Sequence, residues 1–344
     1  MYKINFEQPV HVHFIGIGGI SMSGLAEVLL EEHFTISGSD NKRSPLTEQL
    51  EKAGVTIFYG QKASNIIEGI DVVVYTAAIH EDNEEYQAAV QKGLPMLSRA
   101  ELLGQLMTNY DTPIAVSGTH GKTTTTSMLS HILLSAEMDP TISVGGILKA
   151  IGGNIRVGNS EIFLTEACEY TNSFLHFFPK IGVILNIDED HLDFFKDLAD
   201  IRHSFRKFAE LLPADGTLVI NGEIPELHEI TDGLACRVVT YGPDSSYDYS
   251  ATNILHDQIG EASFDFVKNG EFVTRIALSV NGDHNVSNAL AALAVADILK
   301  IDPKTAGQGL KDFHGTNRRF EYKGEFDGVT VIDDYAHHPT EITA

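Results

Sequence analysis

"SGTHGKTTTT", Ser117 to Thr126, reads as a phosphate-binding loop with an unusual spelling. The widespread nucleotide loop is G-x-x-x-x-G-K-[ST], with four residues between its glycines. Here only Thr119 and His120 separate Gly118 from Gly121, and Val116 stands where the outer glycine would be. The loop follows the strand-like run TPIAVSG and opens the helix-like run KTTTTSMLSHILLSA. Backbone N–H groups around Gly118 to Lys122 can cradle phosphate oxygens, Lys122 supplies a point charge, and Thr123 offers a hydroxyl to Mg²⁺. The plainer alternative is a helix start that happens to carry a surface lysine. It fits poorly, because consecutive threonines are weak helix formers.

Working outward from this loop, strand-like and helix-like runs alternate on both sides. Upstream come VHVHFIG, ISMSGLAEVLLEEH, FTISGSD, SPLTEQLEKAG, DVVVYTA and NEEYQAAVQKG. That alternation predicts a parallel sheet with crossover helices. Downstream, EIFLTEA and IGVILNI continue a second α/β series. ASFDFVKNGEFVTRIALSV then reads as a hairpin about Asn269-Gly270, so an antiparallel element is expected there. Two helices, NVSNALAALAVADIL and PKTAGQGLKDF, follow, and a strand pair, RFEYKGEFDG and VTVIDDYAHHP, begins something new. The expected fold class is α/β: a Rossmann-like domain at 1–109, a central P-loop ATPase-type domain at 110–321, and the start of a truncated C-terminal α/β domain at 322–344.

Bulk composition narrows the function. The 344 residues carry 24 basic and 48 acidic side chains, a formal charge of −24. Such a field repels nucleic acid and anionic membrane, so a phosphate site has to be local. Cys168 and Cys236 lie far apart and form no disulfide or zinc pattern. No apolar run approaches the ~20 residues of a membrane span. The N-terminus lacks the charged and apolar regions of a signal peptide, and a cytoplasmic location is expected.

Other motifs cluster around likely strand ends. Gly16, Gly18 and Gly19 in HFIGIGGISMSGLA lie between a strand and a helix, where backbone can approach a phosphate at the helix N-terminus. Asp40 closes the next strand, at the place of a ribose-binding acid, while Ser21 occupies the third glycine position of the dinucleotide fingerprint. The alternative is a turn that only tightens strand–helix packing. Hard oxygen ligands for magnesium are offered by Glu166 and Glu169 after one strand and by Asn186, Asp190 and Asp193 after another, with His191 among them. Asp283 is placed to cap a helix in GDHNVSN, with His284, Asn285 and Asn288 offering a ring and amides. Arg318 and Arg319 can act as charge-assisted forks or as an exposed pair. His11 and His13, alternating on a strand, read as packing residues.

Taken in order, HFIGIGGISMSGLAE, GTHGKTTTT, NIDEDHLD, GDHNVSNALAA, GTNRRFE and DDYAHHPTE resemble the Mur ligases of peptidoglycan synthesis across the whole chain. The resemblance is to the branch that joins L-alanine to UDP-N-acetylmuramate. It implies an ATP-dependent amide ligase working through an acyl phosphate, with two Mg²⁺ ions. By position, it implies an ATP site of Gly118, Thr119, His120, Gly121, Lys122, Thr123, Thr124, His284, Asn288, Arg319 and Asp334. Thr123 and Glu166 would serve one metal and His191 the other. Gly16, Gly18, Gly19, Ser21 and Asp40 would receive the UDP-sugar, and Tyr335 and His337 would face the amino acid. One departure stands out: after Glu166 the chain reads EACEYTNSFL where the family commonly has EADESDASFL, so Cys168 and Tyr170 are unusual.

Overall fold

The structure, a computed structural model, describes residues 2–76, 78–258, 260–316, 321–336, 338 and 342–343. The chain divides into two compact units, one of residues 1–110 with 154–157 and 176–178, the other of 111–153, 158–175 and 179–344.

In the first unit β1 (His11–Ile15), α1 (Ile20–Glu31), β2 (Thr35–Asp40), α2 (Pro45–Lys52), β3 (Thr56–Tyr59), β4 (Val72–Tyr75), α3 (Glu84–Gln91), β5 (Met96–Ser98) and α4 (Arg99–Met107) follow one another. The strands form one sheet in the order β3–β2–β1–β4–β5, every pair parallel. Strand β1 is therefore central, and Val12 to Ile15 are all buried, as in a parallel strand covered on both faces. Strand order reverses beside it, and the Gly16–Gly19 turn leaves its carboxyl end, the place where open α/β sheets bind ligands. Helix α2 begins at a capping box of Ser44 and Thr47 with Pro45 in its first turn, a start legible from sequence.

The second unit runs β6 (Thr112–Ser117), α5 (Lys122–Ser135), β7 (Thr141–Leu148), β9 (Ile162–Ala167), β10 (Ile181–Ile184), α6 (Leu198–Glu210), β11 (Thr217–Asn221), α7 (His228–Thr231), β12 (Arg237–Gly242), β13 (Tyr249–His256), β14 (Glu261–Lys268), β15 (Glu271–Asn281), α8 (Asp283–Ile298) and α9 (Pro303–Lys311); the short strand β8 (Gly153–Arg156) follows β7 in the chain, its last three residues counted in the first unit. Its sheet order is β15–β14–β13–β12–β11–β10–β6–β9–β7. Pairing is parallel as far as β12–β13 and antiparallel from β13 to β15. The antiparallel element expected from sequence thus continues the same sheet through Tyr241↔Tyr249 and Gly242↔Ser250. Its hairpin turns at Asn269 (φ 50°) and Gly270 (φ 79°), the left-handed pair that matches strand twist. Helix α8 is buried along nearly its whole length and packs small alanines into the core, as an all-round apolar helix must. Strands β16 (Glu321–Phe326) and β17 (Val329–Asp333) form a separate antiparallel ribbon. No helix among the described residues is long and apolar enough to cross a membrane.

One expectation needs correcting. Asp283 does not cap α8: the N-cap is Gly282, with no side-chain cap bond, and Asp283 lies inside the first turn. Its carboxylate instead meets His256 Nε2 at 2.8 Å.

The segment carrying Glu169 is fastened to α6. Phe174 is fully buried and stacks on Phe208 at 4.9 Å with rings 9° apart, while the Phe174 N–H donates to the Cys168 carbonyl at 3.0 Å. Phe208→Ala is expected to destabilise the protein by about 3–5 kcal/mol through the cavity it leaves. Urea denaturation measures this, and a loss under ~1 kcal/mol would show that the stack does not anchor the segment.

Candidate nucleotide site

The loop after β6 takes a shape that only its two glycines permit. Gly118 has φ 142° and Gly121, the N-cap of α5, has φ 84°, a region costly for other residues. Space is equally tight: a Cβ on Gly118 would stand 2.9 Å from Leu185 Cβ, and one on Gly121 would stand 2.6 Å from Asn288 Oδ1.

Asn186, just past β10, grips the loop from the side. Its Oδ1 accepts from the His120 N–H at 2.7 Å and its Nδ2 donates to the His120 carbonyl at 3.0 Å. The Thr119 N–H donates to the Asn186 carbonyl at 3.2 Å, and the Asp188 N–H donates to Thr119 Oγ1 at 2.9 Å. The His120 ring lies 3.2 Å from Asp188 Oδ2 and 4.7 Å, centre to centre, from His338. His338 Nε2 in turn meets the Glu189 carbonyl at 3.0 Å.

Lys122 is folded back into its own loop. Its Nζ donates to the Gly118 and Thr119 carbonyls at 2.5 and 3.0 Å and to both Glu169 oxygens at 3.1 and 2.9 Å. Glu169 is 2% exposed, so this lysine is the counter-charge that a carboxylate in a dry setting calls for. Beside it, Glu166 Oε2 accepts from the Thr123 hydroxyl at 3.1 Å and Oε1 from the Gly145 N–H at 2.5 Å. Thr123 therefore differs from Thr125 and Thr126, which are buried and whose hydroxyls find no partner among the described residues.

His191 sits at φ 53° with Nε2 3.9 Å from Glu169 Oε1 and 3.8 Å from Asp190 Oδ2. Tyr170 lies against its ring at 4.5 Å and donates its hydroxyl to Asp193 at 2.8 Å. That bond and the Asp193 charge push the tyrosine hydroxyl's pKa up. Among the described residues no group of three or more His, Cys, Asp or Glu side chains is set to hold a metal by itself. Thr123 with Glu166 nevertheless offers hard oxygen donors that suit Mg²⁺ once substrate and water oxygens complete the shell, while His191 beside Glu169 offers a softer imidazole nitrogen.

Asn288 and Asn285 are buried near the loop, Asn288 Nδ2 donating to Asn285 Oδ1 at 3.0 Å. Burial lowers the His284 pKa, partly offset by Asp283 and Asp334. Asp334 Oδ1 accepts from the Ala336 N–H at 2.6 Å, and Tyr335 is exposed. Arg318, Arg319 and His337 lie outside the described residues. In the first unit, Gly16 has φ 87°, the Gly18 N–H donates to Asp40 Oδ2 at 2.9 Å, and Ser21 Oγ accepts from Arg99 at 3.2 Å. Sequence reasoning gave no role to the Lys122–Glu169 pair or to His338. Only the strand-end position of Glu169, three residues after Glu166, hinted at the first.

Removing the lysine alone strands a buried carboxylate. Lys122→Ala is expected to cost about 3 kcal/mol of stability, and Glu169→Gln in the same chain to restore most of it. A double-mutant cycle by urea denaturation checks this; additive losses would mean that the two side chains are not energetically coupled.

Two family models match the chain: "Mur ligase family, catalytic domain" over residues 11–111 and "Mur ligase middle domain" over residues 116–296. The UDP-N-acetylmuramate–L-alanine ligase of Agathobacter rectalis is 61% identical over all of this chain and 75% of its own length. That of Lachnospira eligens is 58% identical over the same shares. Among solved structures, the UDP-N-acetylmuramate-alanine ligase of Thermotoga maritima superposes with a TM-score of 0.81 at 32% identity, covering 97% of this chain and 76% of its own. A murein peptide ligase from Psychrobacter arcticus gives 0.83 at 30% identity, over 97% and 74%. With this loop, these sheets and these matches, the chain belongs to the Mur ligase family.

Proposed function

We propose that this chain is an ATP-dependent ligase that joins L-alanine to UDP-N-acetylmuramate in peptidoglycan precursor synthesis. The observation that carries the reading is the Gly118–Lys122 loop, gripped by Asn186 and flanked by Lys122, Thr123 and Glu166 at the carboxyl end of a parallel sheet. The 61% identity to an L-alanine ligase favours the single amino acid over the intact peptide.

In this reading the lactoyl carboxylate of UDP-N-acetylmuramate attacks the γ-phosphorus of ATP, and ADP leaves with the bridging oxygen. The L-alanine amine then attacks the acyl carbon, inorganic phosphate departs, and the amine's proton is lost to solvent or a base. Lys122 turns from Glu169 to the β/γ-phosphates, and the N–H groups of the loop cradle their oxygens. Thr123 and Glu166 would hold one Mg²⁺ and His191 would help hold a second. These ions would neutralise the charge that builds up between nucleotide and carboxylate. Glu166, Glu169, Asp188, Asp190 and Asp193 make the surroundings strongly acidic, so a triphosphate needs such counter-charge to enter. Asn288 and His284 flank the adenine, Asp334 serves the ATP ribose, Arg319 meets the γ-phosphate, and Tyr335 and His337 face the amino acid. Gly16, Gly18, Gly19, Ser21 and Asp40 in the first unit receive the UDP-sugar. The domain limits 1–109, 110–321 and 322–344 go with this division of labour.

The test incubates the protein with UDP-N-acetylmuramate, ATP, Mg²⁺ and L-alanine and follows ADP, phosphate and the amide product by mass spectrometry. Equal yields of all three are expected, with no product when a tripeptide replaces L-alanine. Product from the tripeptide but not from L-alanine would overturn the assignment. In the same assay His191→Ala should raise the Mg²⁺ needed for half-maximal rate and lower kcat by roughly 10²-fold, with ATP affinity little changed.

A further inference from the structure

Beneath the glycine turn of the first unit lies a chain of buried polar groups to which the proposed chemistry gives no role. His13 and Glu85 are both fully buried, with His13 Nε2 at 2.7 Å from Glu85 Oε1. Glu85 Oε2 accepts from the Ser39 hydroxyl at 2.7 Å. His13 Nδ1 lies 2.8 Å from Ser37 Oγ, which is also 2.8 Å from His11 Nε2. His11 Nδ1 faces the Gly69 carbonyl at 3.2 Å.

The partners assign the protons along this chain. A carbonyl only accepts, so His11 Nδ1 carries a hydrogen. Burial lowers the His11 pKa, which leaves its ring neutral and its Nε2 an acceptor. The Ser37 hydroxyl then donates to His11 and accepts from His13 Nδ1–H. At its other ring nitrogen His13 meets Glu85 Oε1 at 2.7 Å, a buried acid–imidazole hydrogen bond. Glu85 stands in the first turn of α3, whose positive N-terminal end favours its negative charge.

A buried pair of this kind adds little net stability over an apolar pair of the same volume. What it does accomplish is orientation. Glu85 holds the Ser39 side chain, and the Ser39 carbonyl accepts from both the Gly16 and Ile17 N–H groups at 2.9 Å. The next residue, Asp40, accepts from the Gly18 N–H at 2.9 Å. The turn is thus hung from the Ser39-Asp40 step, and that step is pinned from below by Glu85.

We propose that His13 and Glu85 are positioning residues for the UDP-sugar site, acting through Ser39 to set the Gly16–Gly19 turn. This rests on the reading that the turn receives the UDP-sugar. Calorimetric titration with UDP-N-acetylmuramate, and separately with ATP and Mg²⁺, tests it in the intact protein and in three variants. Glu85→Gln and Ser39→Ala should each weaken UDP-sugar binding about tenfold, the scale of one lost hydrogen bond to a charged group, with ATP affinity unchanged. Gly18→Ala, whose Cβ would stand 2.8 Å from Asp40 Oδ2, tests the reading itself. Wild-type UDP-sugar affinity in Gly18→Ala would remove the turn as the site. Weakened binding in Gly18→Ala with wild-type affinity in Ser39→Ala would overturn the positioning role alone. Ser39→Ala keeps the acid–imidazole pair, so it decides the matter even where Glu85→Gln fails to fold.

Discussion

The candidate site depends on Asn186 holding the backbone of residues 118–120. A loop with two left-handed glycines and a lysine has many accessible shapes, and ordering it costs conformational entropy. The Asn186 amide imitates a strand by donating to and accepting from the same residue, His120. That bidentate grip is backed by the Thr119 contacts at the head of α5. Because Asn186 lies two residues past β10, which pairs directly with β6, the register of two neighbouring strands sets the geometry of the loop.

Charge organises what the loop then does. In a chain of net charge −24, an acidic cleft would reject a triphosphate. While the site waits, Lys122 is tied to Glu169 and to two carbonyls of its own loop. Glu166 is similarly occupied by Thr123 and Gly145. Lys122, Thr123 and Glu166 thus each have a partner within the protein. In the proposed function, binding would exchange these internal partners for phosphate oxygens and metal ions.

The first unit solves a different problem with a buried polar chain. Its glycine turn has little side-chain substance of its own, so its shape has to come from neighbours. Ser39 and Asp40 provide that shape through backbone and carboxylate acceptors, and the His13–Glu85 pair fixes Ser39. Histidines alternating on a strand read as packing residues from sequence, because periodicity reports which face is buried and not what lies across it. The partner that gives His13 its meaning, Glu85, is 72 residues away.

Much of the architecture was legible in the order of the residues. Alternating apolar runs, Asn269-Gly270 and the short glycine–lysine loop each encode a local preference, and local preference survives into the fold. The α/β class, the hairpin, the helix starts at Ser44 and Lys122, and the family all follow from such signals. Asp283 shows the limit: its residue type suits a cap, but a nearby histidine claims its carboxylate and Gly282 takes the cap position. Tertiary structure alone decided that the antiparallel strands extend the parallel sheet, that Asn186 clamps His120, that Lys122 rests on Glu169 and that Glu85 meets His13. Each of these joins residues distant in sequence, and the sign and strength of such a contact depend on burial and distance, which a linear string does not carry.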